Sequence, residues 1–266
     1  MNRLDISLND QKRFVCSAAL AAVLVLLTGG ANALANTVWC VPTASLNPNC
    51  TPSTTFPTIS AALAAPPLPG DFIVVGPGKY NESVTINVPY LFLFGAQAGN
   101  DAREDRDDPT KESIVDGTVP GNAPFIVAAP FVVIDGFTIQ GGTTGANPAG
   151  IYLTGSGSGN ATEILNNIIQ NNSAGVYSSG NTAVVIEHNL FKNNSAGTGS
   201  VVGYGVYFLA SEYSSIGDNA FTGNLAAAIL LDGAIAVAIA NNSSKMENAF
   251  SASPKSRQHR PRPKRA

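Results

Sequence analysis

The sequence predicts an all-β protein, a single-stranded parallel β-helix in which each turn of a solenoid stacks on the turn before it. Two short patterns alternate four times between Gly150 and Asn242. A period in the low twenties, built from strand-length pieces without a helical pattern, is the signature of such a solenoid. In both patterns the distance between successive copies increases at the same place, near residues 195–203. One insertion in a single turn therefore explains both increases.

The first pattern places a small residue before an apolar residue and, in three copies, a tyrosine. The copies are Gly150-Ile151-Tyr152-Leu153, Gly175-Val176-Tyr177, Gly205-Val206-Tyr207-Phe208 and Ala228-Ile229-Leu230-Leu231. Side chains alternate between the two faces of a strand, so an inward aliphatic residue turns the following tyrosine outward. We therefore expect one outward column of Tyr152, Tyr177 and Tyr207.

The second pattern places isoleucine, asparagine and a large apolar residue at fixed intervals. Its copies begin at Ile164, Ile186, Ile216 and Ile239, which we expect to form one inward column. A second inward column should contain Ile169, Phe191 and Phe221. The turn residues should be Asn167, Asn189, Asn219 and Asn242. Asparagine suits such a turn because it tolerates the left-handed conformation and can hydrogen-bond to the turns above and below.

Residues 1–35 have the features of a secretory signal peptide. Arg3, Lys12 and Arg13 precede an apolar run from Val15 to Leu27, and Ala33-Leu34-Ala35 offers a small-residue cleavage site. The run is short for a membrane span, although an uncleaved anchor is the alternative. We expect a secreted, cell-envelope or periplasmic protein with no membrane span after cleavage.

Residues 36–55 are interpreted as an N-terminal loop closed by a disulfide. Cys40 and Cys50 form an even pair in an exported chain, and an oxidising compartment favours their pairing. A short helix beginning at Thr58, behind Pro57, should then cover the first turn, because an open solenoid end exposes unpaired strand edges. The β-helix domain should occupy residues 56–250.

A family resemblance rests on the repeats above and on two runs near the start of this domain. They are Phe56-Pro57-Thr58-Ile59-Ser60-Ala61-Ala62-Leu63 and Ile73-Val74-Val75-Gly76-Pro77-Gly78-Lys79-Tyr80-Asn81-Glu82-Ser83-Val84-Thr85-Ile86. Residues 56–245 resemble the right-handed parallel β-helix, or pectin lyase-fold, superfamily. The opening is similar to pectin methylesterases and to nitrous-oxide-reductase accessory β-helix domains. The resemblance implies a fold that supports lyases, hydrolases, esterases and non-catalytic surface proteins.

Charge limits the classes of partner. Residues 36–250 contain six Lys and Arg against 16 Asp and Glu, a net charge of −10, which should repel nucleic acid and polyuronates unless cations intervene. Residues 251–266 contain six basic residues and no acid, and we expect a disordered tail. A truncated or frame-shifted gene is one explanation of this tail, and contact with an anionic wall polymer is another.

An acidic loop from Asn100 to Lys111 should leave the solenoid. Its carboxylates, together with Arg103 and Arg106, could attract calcium. The spacing matches no EF-hand, so we expect a solvated loop and no cofactor. His188 lies in a turn without neighbouring Cys or Met, which argues against a copper or zinc site and predicts a solvent-exposed histidine.

Few residues of this sequence match the catalytic residues of the similar families. Their lyases use Arg or Lys as the base, but no Lys or Arg occurs between Lys111 and Lys192. Pectin methylesterases need paired aspartates and an arginine on adjacent turns; Asp135-Gly136-Phe137 matches only superficially, and no arginine follows in the turns. The Asn-Thr-Asp, Asp-Asp and Gly-His-Gly motifs of polygalacturonases are absent from the turns.

Two functional interpretations remain, with a third as an alternative to both. The tyrosine column could bind a polysaccharide or cell-surface glycan, with sugar rings against the aromatic faces; the alternative is a stabilising cross-strand stack beneath a loop. A hydrolase could use Glu163 and Glu187, which we place about 8 Å apart, within the range of an inverting carboxylate pair. Asp135 and Asp218 are the neighbouring acids. A structural envelope protein is the third interpretation. We expect the non-catalytic glycan- or surface-binding module.

Overall fold

The computed structural model describes residues 36–42, 49–104, 106–119, 121–146, 148–155, 157–197, 201–245 and 250–253, the last stretch as backbone only. It is an all-β parallel solenoid with very little helix, as the sequence predicts. The predicted signal peptide and residues 254–266 of the predicted tail lie outside the described residues. In the described part of the chain, no helix is both long enough and apolar enough to cross a membrane.

The strands form three parallel sheets, and the chain visits the sheets in the order A, B, C on each turn. In spatial order, sheet A contains β1 (Val38–Val41), β2 (Phe72–Val75), β5 (Phe92–Phe94), β8 (Val133–Asp135), β11 (Glu163–Leu165), β14 (Val185–Glu187), β17 (Ser215–Gly217) and β20 (Ala238–Ala240). Sheet B contains β3 (Gly78–Tyr80), β6 (Ser113–Asp116), β9 (Phe137–Gln140), β12 (Ile168–Gln170), β15 (Leu190–Lys192), β18 (Ala220–Thr222) and β21 (Ser243–Ser244). Sheet C contains β4 (Val84–Ile86), β7 (Phe125–Val127), β10 (Ala149–Leu153), β13 (Ala174–Ser179), β16 (Tyr204–Leu209), β19 (Ala227–Asp232) and β22 (Phe250–Ser253).

The predicted columns of core residues are present in register. Ile164 pairs with Ile186, Ile186 with Ile216, and Ile216 with Ile239. The first three are fully buried, and Ile239 continues the same inward column but is 39% exposed. Among the described residues, β20 is the last strand of sheet A and no strand pairs with its outer edge. In sheet B, the buried rings of Phe191 and Phe221 stack with their centroids 4.8 Å apart.

The small residue that starts the first pattern makes room for this second column. A Cβ on Gly175 would lie 2.5 Å from Cδ1 of Phe191, and one on Gly205 would lie 2.5 Å from Cδ1 of Phe221. The large ring in sheet B and the glycine in sheet C therefore occupy one shared volume. This explains why the two patterns recur together, since the ring fits only where the facing residue has no Cβ.

The predicted asparagine column is a hydrogen-bonded ladder between sheets A and B. From Asn189 onward, each Oδ1 accepts the main-chain N–H of the asparagine in the turn before, as Asn189 does from Asn167 at 2.8 Å and Asn219 from Asn189 at 3.0 Å. The expectation of left-handed backbone at these residues is wrong. Positive φ angles occur one position earlier, at Asn166, His188, Asp218 and Asn241. A second ladder between sheets B and C, not predicted, contains Asn172, Asn194 and Asn224.

The N-terminal end of the solenoid is covered, as expected. The disulfide between Cys40 and Cys50 is present, although the predicted loop contains strand β1, which pairs with β2. Helix α1 (Ile59–Ala64) has Thr58 as its N-cap and buries Ile59 against the core. The carboxylate of Glu82 accepts the main-chain N–H groups of Ile59 and Ser60 at 3.0 and 2.8 Å, which fastens the helix over the first turn.

The acidic loop does not project into solvent as predicted. We call residues 96–112 the strap, because they run back across the turns between sheets A and B. The main-chain N–H of Ala102 donates to the carbonyl of His188, and Arg106 donates to the carbonyl of Asn166. The side chains of Arg106 and Glu112 are only 6% and 5% exposed and form an ion pair. The expectation of a solvated loop is therefore wrong for Arg106, and Glu112 lies one residue beyond the predicted loop.

Candidate functional site

The outward face of sheet C carries the predicted tyrosine column. Tyr152 pairs with Tyr177, and Tyr177 with Tyr207, in the parallel register of β10, β13 and β16. Their ring centroids are 5.6 and 5.3 Å apart, and all three side chains are partly exposed. Ile126 precedes and Leu230 follows in the same column. We call the three tyrosines the tyrosine ladder; it is an aromatic strip with an aliphatic residue at each end.

The faces of the rings are largely occupied by one another. The planes of Tyr152 and Tyr177 meet at 15°, and Tyr207 covers the other side of Tyr177 at 42°. A sugar therefore cannot lie flat on Tyr177, contrary to the face-to-ring contact expected from the sequence. The ladder presents ring edges and hydroxyl groups to solvent, at a spacing of one group per turn.

Polar groups lie beside the hydroxyl groups of the ladder. The Tyr207 hydroxyl donates to Oδ2 of Asp232 at 3.3 Å. Burial raises the pKa of the Tyr177 hydroxyl, and burial together with the carboxylate of Asp232 raises the pKa of Tyr207. Both hydroxyls thus remain protonated at neutral pH and can donate hydrogen bonds.

The insertion near residues 195–203 ends beside the tyrosine ladder. Val201, which is buried, packs against Ala149 and Ala174, with Tyr177 and Tyr207 against the same cluster. Tyr204 adds a fourth ring, 5.4 Å from Tyr207. The sequence located the insertion but did not show that it returns to this face, since the cluster joins residues from three different turns of the solenoid.

Glu163 and Glu187 lie on the outer face of sheet A, away from the tyrosine ladder. Glu163 pairs with Val185 and Leu165 with Glu187, so the two glutamates are one turn and two residues apart, as predicted. Burial, and next the negative charge of Glu187, raise the pKa of the Glu163 carboxyl. The two carboxyl groups are therefore close enough to interact electrostatically.

The other two predicted acids do not join this pair. The Asp135 carboxylate is buried under the strap, where Oδ1 accepts the side-chain amide of Asn166 at 2.9 Å and the main-chain N–H of Gly99 at 3.1 Å. Burial raises its pKa, and these hydrogen bonds oppose that shift. Asp218 lies in a turn and is 3.7 Å from Nη1 of Arg103. Both acids thus hold the strap in place.

His188 is a turn residue between Asn166 and Asp218, and the strap covers part of it. Its carbonyl accepts from Ala102, and its side chain is partly buried, so the fully exposed histidine expected from the sequence is not found. Across the described ranges, no three His, Cys, Asp or Glu side chains are arranged to share a metal ion. Arg106 and Glu112, which sequence reasoning did not single out as structural, are the charged pair at the centre of this region.

Comparisons with solved structures find matches of low sequence identity. Two structures of the pectin methylesterase from Aspergillus niger, one in penultimately deglycosylated and one in deglycosylated form, are 13% and 12% identical to this chain. Each match covers 83% of this chain and 91% of the other, with a TM-score of 0.35. Comparison with curated proteins found no match.

Comparison with protein-family models finds a match over more than half of the chain. The model for "Periplasmic copper-binding protein (NosD)" matches residues 113–254, which run from β6 to just beyond β22. This range includes the tyrosine ladder, both asparagine ladders and the Glu163–Glu187 pair. The resemblance to right-handed parallel β-helix proteins is thereby confirmed, and the chain belongs to the NosD family of periplasmic β-helix proteins.

Proposed function

We propose that this protein is a non-catalytic binding module, exported through its N-terminal segment, that holds a linear neutral glycan along the tyrosine ladder. The observation that supports this most directly is the in-register spacing of the three rings, at 5.6 and 5.3 Å. Turns of a β-helix repeat at about 4.8 Å, close to the length of one sugar unit. Successive hydroxyl groups can therefore meet successive sugar units of a polymer.

The chemistry of the strip favours hydrogen bonding with apolar support. Tyrosine hydroxyls both donate and accept, as sugar hydroxyls do. Ile126 and Leu230 extend the apolar strip by one turn at each end, which suits the hydrocarbon edges of a glycan. The net charge of −10 on residues 36–250 disfavours polyuronates and other polyanions. The class of ligand that fits is therefore a neutral glycan or one bridged by cations.

The residues described do not fit the copper named in the family's description. Copper sites use imidazole, thiolate and thioether ligands in close groups. In the described region His188 has no second imidazole near it, and Cys40 and Cys50 are joined in a disulfide. We therefore assign no copper chemistry to the solenoid.

Glycan binding is tested with a panel of neutral and acidic polysaccharides and with variants of the central ladder residue. Tyr177→Phe keeps the ring stack and removes one hydroxyl, so affinity should fall about two- to tenfold. Tyr177→Ala also opens the stack and should weaken binding further. Tyr213→Ala is the matched control, because Tyr213 is 67% exposed but lies outside the ladder. Unchanged affinity in both Tyr177 variants would rule out the ladder as the site.

A second candidate function is polysaccharide hydrolysis by Glu163 and Glu187. The observation that favours it is their register, together with the raised pKa of Glu163, a shift in the direction that a general acid needs. Release of reducing ends that is lost in both Glu163→Gln and Glu187→Gln would support it. Because the two candidates use different sheets, the tyrosine variants should leave such cleavage unchanged.

A further inference from the structure

Left-handed backbone recurs in three columns, one at each corner between the sheets. Between sheets A and B the column consists of Gly136, Asn166, His188, Asp218 and Asn241, and between sheets B and C it consists of Gly141, Asn171, Asn193 and Gly223. These residue types adopt positive φ more readily than others. Between sheets C and A the column consists of Tyr90, Phe131, Ala161, Ala183, Tyr213 and Ala236, with φ between 50 and 59°. Three aromatic residues thus occupy positions where a bulky side chain is an outlier.

The aromatic residues of this third column are exposed instead of packed in the core. Tyr90, Phe131 and Tyr213 are 48%, 44% and 67% exposed. Burial of their rings therefore compensates only in part for the unfavourable backbone conformation. A large side chain held in such a conformation at the surface indicates a role in binding.

The rings of Tyr90 and Phe131 lie face to face, with their centroids 4.5 Å apart and their planes at 3°. This separation is close to the repeat of about 4.8 Å between turns, so the ring faces are directed along the solenoid axis. Among the described residues no third ring continues the stack, because the next two members of the column are Ala161 and Ala183. The second face of Phe131 therefore opens onto two small residues.

We call Phe131, Ala161, Ala183 and Tyr213 the corner notch. Its members stay in register, because the main-chain N–H of each one donates to a carbonyl of the following turn. Phe131 and Tyr213 are three turns apart, about 14 Å along the axis. The alanines form a floor between two aromatic residues, so a flat group fits against the open face of Phe131.

The charged groups around the corner notch are negative. The register of β8 and β11 places Glu163 one turn and two residues from Phe131, about 8 Å away between Cα atoms, and its side chain is exposed. Glu212 directly precedes Tyr213 at the other end of the notch. All six Lys and Arg of residues 36–250 lie in sheet B, in the strap or just after β21. The notch thus combines aromatic faces with carboxylates.

We propose that the corner notch binds the guanidinium group of an arginine side chain in a basic segment of a partner protein. A guanidinium group is flat and cationic, so it stacks on the open face of Phe131 as Tyr90 does on the other face. Its paired N–H groups suit the carboxylate of Glu163. The net charge of −10 on residues 36–250 attracts such a partner to this surface.

The corner notch and the tyrosine ladder select different ligands. In the ladder the ring faces cover one another and hydroxyl groups point to solvent, which suits the hydroxyl groups of a glycan. Phe131 offers an open ring face without a hydroxyl group, and Glu163 beside it supplies a charge. A flat cation therefore fits the notch better than a neutral sugar does, and the two sites can be tested independently.

The test titrates the full-length protein with triarginine amide. Trilysine amide has the same charge without the flat group, and tricitrulline amide has a flat group without the charge, so both should bind more weakly. Phe131→Asn should weaken triarginine binding about two- to tenfold, and Glu163→Gln about two- to fivefold. Tyr177→Ala, in the tyrosine ladder, and Glu104→Gln, at an exposed acid of the strap, are the matched controls and should leave the affinity unchanged.

Two further measurements separate binding from a structural role of the ring. Asparagine suits left-handed backbone, so Phe131→Asn should not lower the thermal midpoint. Bound triarginine should lower the pKa of Glu163 in a carboxyl NMR titration, because a nearby cation favours the ionised carboxyl group. Glu163→Gln leaves the ring stack intact and tests the charge alone.

Three results would overturn the proposal. Equal triarginine affinity in both notch variants and the unmodified protein would mean diffuse attraction to the acidic surface. A lower thermal midpoint of Phe131→Asn with unchanged affinity would make the ring a structural element. Ring signals of Phe131 that shift with a neutral oligosaccharide and not with triarginine would assign the notch to a glycan.

Discussion

Arg106 and Glu112 form a two-pronged ion pair inside the strap. Nε of Arg106 donates to Oε1 of Glu112 at 3.0 Å, and Nη2 donates to Oε2 at 2.6 Å. The remaining guanidinium nitrogen reaches the carbonyls of Asn100 and Asn166, and Thr138 donates to the same carboxylate at 2.8 Å. One buried cation thus ties the strap to a turn of the solenoid that is 60 residues further along the chain.

Arg106→Ala should lower the free energy of unfolding by about 3 kcal/mol or more, because it leaves the charge of the buried Glu112 carboxylate without a positive partner. Denaturant unfolding measures this loss. Replacing both residues, as Arg106→Met with Glu112→Met, should cost less than the single change, since no charge remains buried. Arg103→Ala is the matched control. Its pair with Asp101 is more exposed and should contribute at most about 1 kcal/mol. A single variant as stable as the double one would contradict the prediction.

Asn189→Ala should remove the middle of the asparagine ladder. Asn189 is fully buried, its Oδ1 accepts from Asn167, and its Nδ2 donates to the carbonyl of Ile164 at 2.8 Å. The variant leaves these groups unpaired, at about 1–3 kcal/mol each. The unfolding midpoint should therefore fall sharply. Asn242→Ala, at the partly buried end of the ladder, should lower the stability less than Asn189→Ala. An equal loss of stability in the two variants would contradict the view that burial determines the size of the loss.

Gly175→Ala should destabilise the solenoid by overpacking. The added Cβ would meet the carbonyl of Gly205 at 2.4 Å and the Phe191 ring at 2.5 Å. Such overpacking costs about 1–3 kcal/mol. Phe191→Leu should recover part of this loss, because it relieves the contact with the ring but not the contact with the main chain. Gly217→Ala is the control, since its nearest neighbour would lie at 3.7 Å, and its thermal midpoint should stay close to that of the unmodified protein.

Glu187→Gln should lower the pKa of Glu163, because it removes the neighbouring negative charge and leaves the effect of burial. A carboxyl NMR titration of Glu163 measures the change. Glu104→Gln in the strap is the control and should leave the pKa of Glu163 unchanged. Since folding raises the pKa of Glu163, the folded state binds its proton more tightly. The stability from this proton is present below the unfolded-state pKa and is lost as pH rises through the folded-state pKa. Glu163→Gln should thus stabilise the protein at neutral pH and not in acid.

Much of the fold follows from the repeat. Residues such as Ile164 and Ile186 share a column because they occupy the same position of successive repeats, and the same repeat, lengthened once by the insertion near residues 195–203, brings Tyr152, Tyr177 and Tyr207 together. The disulfide and the capping helix followed from local composition. The position of left-handed backbone was missed by one residue, since asparagine can either adopt that conformation or hydrogen-bond beside it, and both uses place it in the same turn.

The sequence by itself determined the β-helix, its inward columns and the register of the tyrosines, because a solenoid places residues at a fixed period directly above one another. Only the tertiary structure decided that the acidic loop returns as a strap, that Asp135 lies beneath it, and that the tyrosine rings cover one another's faces. It also decided that Ile239 is exposed, since exposure depends on what lies above the last turn. Contacts of this kind join segments that are far apart in the chain, so no local pattern records them.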